Sequence, residues 1–401
     1  MKRDYQGVLA EHFAINRQMA FLSGPRQVGK TTLLNALAPA PYLNWDDPAD
    51  KLVFNAGADA IATHCGLDVW HPDDAKPLLA FDEIHKYARW KNTLKGFFDK
   101  YGKRARIVVT GSARLDIYKR GGDSLRGRYL GYRIHPLSLG EIAGAPLDPE
   151  TLLRPPATCD ADVLATLARF GGFPEPFLKA NTRFHRQWLR LQRDQILREE
   201  VRDITAIREI ALIETLGHFL SAQAGGEVKF SGLGNHLQVS TDSVRRWCST
   251  LSALYFCHFV RPYSRNIRRS LIKEPKVYLW DWSAAPEGGQ RWENLVAGHL
   301  LKAVHYWTDL GLGDFALHFL RDKEKREIDF LVVRDAKPWF LVEVKTSASA
   351  PLSNALAYFQ AATGAAHAWQ VAADLPPAGA DCFTAKTPVK LSLADLLLRL
   401  P

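Results

Sequence analysis

Short, unbroken apolar runs punctuate the first third of the chain. Met19-Ala20-Phe21-Leu22, Leu78-Leu79-Ala80-Phe81 and Ile107-Val108-Val109 carry no polar alternation, which predicts strands covered on both faces, as in a parallel sheet. Pro41-Tyr42-Leu43-Asn44-Trp45 and Tyr129–Ile134 add two strands, and Thr32–Leu37 reads as a helix. Between Ala161 and Ser221 the apolar spacing turns helical, broken at Gly171-Gly172-Phe173-Pro174-Glu175 before a charged helix around Phe184–Val201. From Val228 the pattern changes to a helix (Gly232–Leu237), a turn at Gln238-Val239-Ser240, a second helix (Thr241–Leu251) and a strand (Tyr255–Val260). Ser240 or Thr241 suits the N-cap of the second helix, and the order predicts a winged helix-turn-helix. An amphipathic helix from Trp292 then precedes two strands, 326–333 and 339–345, separated by a turn at 335–338. Alternation along the last strand places Glu343 and Lys345 on one face, with Val342 and Val344 on the other. Paired as a hairpin, the two strands bring Asp329 beside Glu343.

Composition sets the bounds on this pattern. The chain has 401 residues, 47% apolar and 24% charged, with a net charge of +9: a multi-domain globular chain whose charge permits an anionic partner without demanding one. No stretch approaches the length of a membrane helix, and the N-terminus lacks the apolar core of a secretion signal. Five scattered cysteines have no metal-ligand spacing and suit a reduced, cytoplasmic setting. Breaker-rich stretches at 146–156 and 284–290 suggest boundaries, giving parts at 1–147, 148–227, 228–283 and 287–401.

The chemistry begins where the first apolar run ends. Gly24-Pro25-Arg26-Gln27-Val28-Gly29-Lys30-Thr31, with Thr32 next in line, is a complete phosphate-binding loop between strand and helix. Its backbone N–H groups are suited to curl around nucleotide phosphates. Lys30 is suited to the β/γ-phosphates and Thr31 to Mg²⁺. Asp82, ending the second run, is a metal ligand in this reading, and Glu83 polarises the attacking water. Ser112, or alternatively Thr110, ends the next strand as a γ-phosphate sensor. Arg128 is the arginine expected to meet the γ-phosphate of its own or a neighbouring subunit. On the second helix of the winged pattern, Ser243, Arg245 and Arg246 are candidate DNA contacts, joined by Arg268 and Arg269 on the wing. Asp329, Glu343 and Lys345, with Glu293, form a phosphodiesterase-like constellation in which Asp329 and Glu343 hold a divalent metal. Its alternative is an exposed strand face carrying ordinary acid–base pairs.

These motifs, with Thr110-Gly111-Ser112-Ala113-Arg114, Leu125-Arg126-Gly127-Arg128 and the Gly-Gly-Phe-Pro-Glu turn, occur here in an order that resembles the prokaryotic AAA-type ATPases with a DUF4143 domain. The resemblance covers nearly the whole chain. It implies an AAA+-like α/β core, a winged helix and a C-terminal domain similar to PD-(D/E)xK nucleases, with ATP and Mg²⁺ as cofactors. The segment before Asp329 lacks the proline of the nuclease motif, a departure that motif tolerates. Three functions fit: an ATPase that rearranges its appended domains on DNA; an ATP-regulated, metal-dependent nuclease; and a nucleotide-dependent switch that grips a protein, its nuclease fold inert. A homo-oligomer is compatible with each.

Overall fold

The computed structural model describes residues 2–111, 125–204, 209–264 and 273–401. Ser112, Arg268 and Arg269 therefore lie outside the described residues. Two compact units emerge, Lys2–His135 and Pro136–Pro401.

The first unit is built on five parallel strands: β1 (Met19–Ser23), β2 (Tyr42–Asn44), β3 (Leu78–Asp82), β4 (Arg106–Thr110) and β5 (Tyr129–Arg133). Their order is β2-β3-β4-β1-β5. The unbroken apolar runs reflect this layering. Met19, Phe21, Leu79, Phe81, Ile107 and Val109 pack into one core with Phe54, Ile61, Leu94 and Phe97 from flanking helices. The alternating residues Ala20, Leu22, Ala80 and Val108 are buried as well, as strand periodicity requires when both faces are covered. The strand between β1 and β3 is β4, and β2, the Tyr42 segment, pairs on the far side of β3.

An N-terminal helix, Asp4–Ile15, is an element beyond those expected from the sequence. It buries Tyr5, Val8, Leu9, His12 and Phe13, an i, i+3, i+4, i+7, i+8 stripe along one helix face.

The second unit carries seven strands: β6 (Cys257–Pro262), β7 (Lys276–Leu279), β8 (Phe315–Arg321), β9 (Glu327–Arg334), β10 (Lys337–Lys345), β11 (His367–Ala372) and β12 (Val389–Ser392). They form one mixed sheet in the order β12-β11-β10-β9-β8-β6-β7. The helix pair of the winged pattern is present as Phe230–Leu237 and Thr241–Ala253, with Ser240 accepting from the Ser243 N–H. The strands after it, β6 and β7, pair antiparallel, and β6 also pairs with β8 in parallel. Strands expected in two separate parts thus share one sheet.

The breaker-rich segment at 284–290 is no free linker in this fold. The 21-residue helix Gly289–Asp309 starts inside it, and the side chain of Asn294 both accepts from Leu279 N–H at 2.9 Å and donates to its carbonyl at 2.8 Å. Those bonds satisfy the backbone of Leu279 at the outer edge of β7, where the preceding residues are met by the 225–228 segment. The division after His135 falls earlier than the Pro146–Pro156 stretch. Lys302, buried in the second unit, donates to Glu141 at 2.6 Å and to Ser138 at 2.9 Å, so the residues just beyond 135 belong with the C-terminal sheet and its long helix. Among the described residues no helix is long and apolar enough to cross a membrane.

Candidate functional site

Because the five strands of the first unit are parallel, their C-terminal ends share one sheet edge, the edge where such folds bind ligands. The loop after β1 has the backbone its sequence demands. Gly29 sits at φ 97° and Gln27 at φ 59°, and a Cβ on Gly24 would collide with the Ile134 carbonyl. Lys30 is buried, its Nζ donating to the carbonyls of Gly24 at 2.9 Å and Pro25 at 2.7 Å. Arg3, just ahead of the N-terminal helix, is buried too; its guanidinium donates to the Val28 carbonyl at 2.9 Å and to the His135 carbonyl. This support of the loop from the chain's start lies outside the motif, and no local pattern signals it.

Asp82 ends β3 beside the loop, buried and surrounded by hydroxyls. Thr31 donates to its Oδ2 at 3.4 Å, Tyr42 donates to the same oxygen, and Thr110 donates to Oδ1. Thr110, considered a sensor from its position, is here an Asp82 partner. Tyr42 stays a phenol: burial, then the Asp82 hydrogen bond, raises its pKa above the ordinary value. Glu83 adopts a left-handed backbone at φ 55°, uncommon for a non-glycine residue and typical of functional sites. Its carboxylate meets Lys86 at 3.2 Å and lies 3.7 Å from His85. Lys86 also pairs with Asp46 at 2.6 Å.

These residues fit a nucleotide with Mg²⁺. The donor set is hard oxygen from Thr31 and Asp82, which suits that ion, and no ammonium pairs directly with Asp82 among the described residues.

Arg128 requires a correction. β1 and β5 run parallel in the register Met19↔Tyr129 to Ser23↔Arg133, so Arg128 lies beside the start of β1, while the phosphate loop leaves its end. A five-residue strand separates the two by roughly 15 Å. There Arg128 forms a two-pronged pair with Asp99, at 2.7 and 2.9 Å. Strand direction excludes it as a finger for its own chain's loop.

In the second unit β9 and β10 pair as the expected hairpin, with Val342 opposite Phe330. Asp329 accepts from the Val344 N–H at 2.8 Å, and Lys345 donates to Glu343 at 2.6 Å. An unforeseen residue stands among the acids. Lys276, from β7, places Nζ at 2.6 Å from Glu327, 3.2 Å from Glu293 and 3.6 Å from Asp329. Tyr278 donates to Glu293 at 2.7 Å.

Burial raises the Asp329 carboxyl above its ordinary pKa. Burial, followed by the nearby Asp329 charge, pushes both Glu293 and Glu343 to about 7. Burial alone would depress Lys276, but Glu293, Asp329 and Glu327 outweigh it and hold the ammonium above the usual lysine value. Among the described residues no group of three His, Cys, Asp or Glu side chains is arranged to hold a metal ion. The expected ligands Asp329 and Glu343 sit in a cluster that already contains two ammonium groups, and this arrangement does not fit a divalent metal.

The candidate DNA contacts on the Thr241–Ala253 helix face outward in part: Arg245 and Arg246 are exposed and Ser243 is half-buried. Arg246 reaches Ser243 at 3.3 Å.

Comparison with known proteins matches three stretches of the chain. Residues 16–143 match the AAA domain family, 162–286 a domain of unknown function (DUF8612), and 288–374 a second one (DUF4143). Uncharacterized proteins of Mycobacterium tuberculosis and Mycobacterium bovis are each 21% identical over 356 residues, spanning 84% of this chain and 72% of theirs. One from Methanocaldococcus jannaschii is 25% identical over 280 residues, spanning 65% of this chain and 59% of its own length. Among solved structures, the Aeropyrum pernix ORC1 protein in complex with DNA overlaps at TM-score 0.29 and 15% identity, covering 69% of this chain and 87% of that one. A DNA polymerase III gamma subunit-related protein of Thermotoga maritima overlaps at TM-score 0.28 and 12% identity, covering 63% and 84%.

Proposed function

We propose that this chain, which carries an AAA domain followed by a DUF4143 domain, hydrolyses ATP with Mg²⁺ and uses the turnover to rearrange its helical and C-terminal parts on DNA. The observation that carries the ATPase reading is the convergence of Lys30, Thr31, Asp82 and Glu83 on one edge of the parallel sheet. The loop amides and Lys30 would hold the phosphates, and Thr31 and Asp82 the metal, which when bound neutralises charge on the transferring phosphoryl group. Tyr42 and Thr110 fix the Asp82 carboxylate by hydrogen bonds. Glu83 is the general base; Lys86 and His85 both meet its Oε2, which leaves Oε1 to accept a proton from water. Steady-state ATP turnover with and without Mg²⁺, in the wild type and Lys30→Ala, tests this. Mg²⁺-dependent turnover that Lys30→Ala abolishes supports it, and turnover indifferent to both rejects it.

The DNA reading rests on a second observation, besides the outward arginines of the winged-helix pattern. On the helix Thr182–Asp194, Arg183, Arg186, Arg190 and Arg193 recur at helical spacing; the first three are exposed, and none has an ion-pair partner among the described residues. Many exposed cations elsewhere are paired, as in Lys100–Asp59 and Arg198–Glu214. The ridge is about 15 Å long, matching about four phosphates of one strand at 3.4 Å apiece. Binding of duplex DNA that weakens steeply with salt supports this reading. No binding at low salt would favour the protein-gripping switch.

A further inference from the structure

The acids of the C-terminal sheet gather around a cation that the chain itself supplies. Lys276 is almost fully buried, with 5% of its side chain exposed. Its ammonium has three hydrogens and faces three carboxylates, those of Glu327, Glu293 and Asp329, at 2.6, 3.2 and 3.6 Å. It comes from β7, at the edge of the sheet, whereas Glu293 lies on the helix Gly289–Asp309 and Glu327 and Asp329 lie on β9. A divalent ion at these oxygens would need several of them within about 2.0–2.6 Å. It would also share the space with the positive charge of a lysine whose side chain is almost wholly buried.

We infer that Lys276 is the resident cation of the Glu293–Glu327–Asp329 cluster, and that the C-terminal site in this fold is closed to divalent metal by that ammonium. The cluster is then an ionic clasp. It ties the hairpin of β6 and β7 to β9 and to the long helix, reinforcing the brief β6–β8 pairing of two residue pairs. Glu343 stands beside it with one oxygen on Lys345 and the other, Oε2, buried with no hydrogen-bond partner. This acid is what remains for a ligand once Lys276 has taken its neighbours. Removing the ammonium should leave the carboxylates uncompensated, and a metal ion is the compensation they would then accept.

Mn²⁺ titration by calorimetry on the full chain, without nucleotide, tests the inference. Wild type and Asp329→Asn should give the same isotherm, because Asp329 holds no metal in the wild type. Lys276→Met should gain one Mn²⁺ site, at least about tenfold tighter than any wild-type binding and within the millimolar-or-better range of carboxylate sites. The further change Asp329→Asn should remove that site, and Lys276→Arg, which keeps a cation in place, should not acquire it. A Mn²⁺ site in the wild type that disappears in Asp329→Asn would overturn the inference, and this comparison does not depend on the Lys276→Met chain folding. A folded Lys276→Met chain with no new site would overturn it as well. None of these readouts involves ATP turnover, so failure here is distinct from failure of the ATPase proposal.

Discussion

The molecule holds two carboxylate sites, one on each sheet, and they differ in what touches the acids. Asp82 is met by hydroxyls from Thr31, Tyr42 and Thr110, neutral donors that orient a carboxylate and leave its charge uncancelled. Lys30 lies close by but donates to the carbonyls of Gly24 and Pro25. Glu293, Glu327 and Asp329 are met by the Lys276 ammonium, and Glu343 by Lys345. The first arrangement leaves negative charge for an incoming cation. The second has already spent most of it. Sequence motifs that both read "metal-binding acids" thus describe opposite electrostatic situations.

Removing one acid from each site should separate the two most strongly. Glu83→Gln should retain ATP binding yet lose about 10²–10⁴-fold in turnover, the usual worth of a positioned general base. Glu343→Gln, the corresponding change in the other site, should leave ATP turnover within about twofold, as expected of independent sites. Equal losses from both would mean that the two sites work as one. A smaller effect concerns the arginine ridge. Replacing Arg186, Arg190 and Arg193 together by Gln should lower the slope of log affinity for duplex DNA against log salt by about 2.7, near 0.9 for each lost phosphate contact. An unchanged slope would remove the ridge from the DNA reading.

Smaller again is Tyr42→Phe. Losing one hydrogen bond to Asp82 costs about 1 kcal/mol, so the Mg²⁺ concentration for half-maximal turnover should rise roughly fivefold. No change would show that the hydroxyl shell is not what prepares Asp82. The smallest effect is on pH dependence. Glu293 and Glu343, raised to about 7 by burial and by Asp329, keep protons in the folded chain that the unfolded chain releases above its ordinary value near 4.3. Folded protein then binds more protons between those values, so their contribution is full below the lower value and is lost as pH rises through 7. Urea midpoints for the second unit should fall from pH 5 to pH 8, and Glu343→Gln should flatten that fall.

How legible each feature is in the sequence depends on the distance over which it is encoded. The phosphate loop and the Asp82-Glu83 pair are contiguous, and unbroken apolar runs announce a doubly covered sheet, so strand, loop and acids can be read directly. The hydroxyls around Asp82 cannot, because Tyr42 and Thr110 reach it only through the strand order β2-β3-β4. Arg128 is a different case: it precedes β5, and in a sheet read as parallel that already places it at the strand end away from the loop. In the sequence Lys276 is one more basic residue after the helix pair. Its role depends on β6 joining β8, a parallel pairing with no local signal. The N-terminal helix has such a signal in Tyr5, Val8, Leu9 and Phe13, yet it is short and stands outside every motif.

The contrast between the two sites is tested most directly by counting Mn²⁺ ions per chain in the presence of a non-hydrolysable ATP analogue. One ion per chain is expected, lost in Asp82→Asn and retained in Asp329→Asn. A second ion that Asp329→Asn removes, or an ion indifferent to Asp82→Asn, would contradict the account.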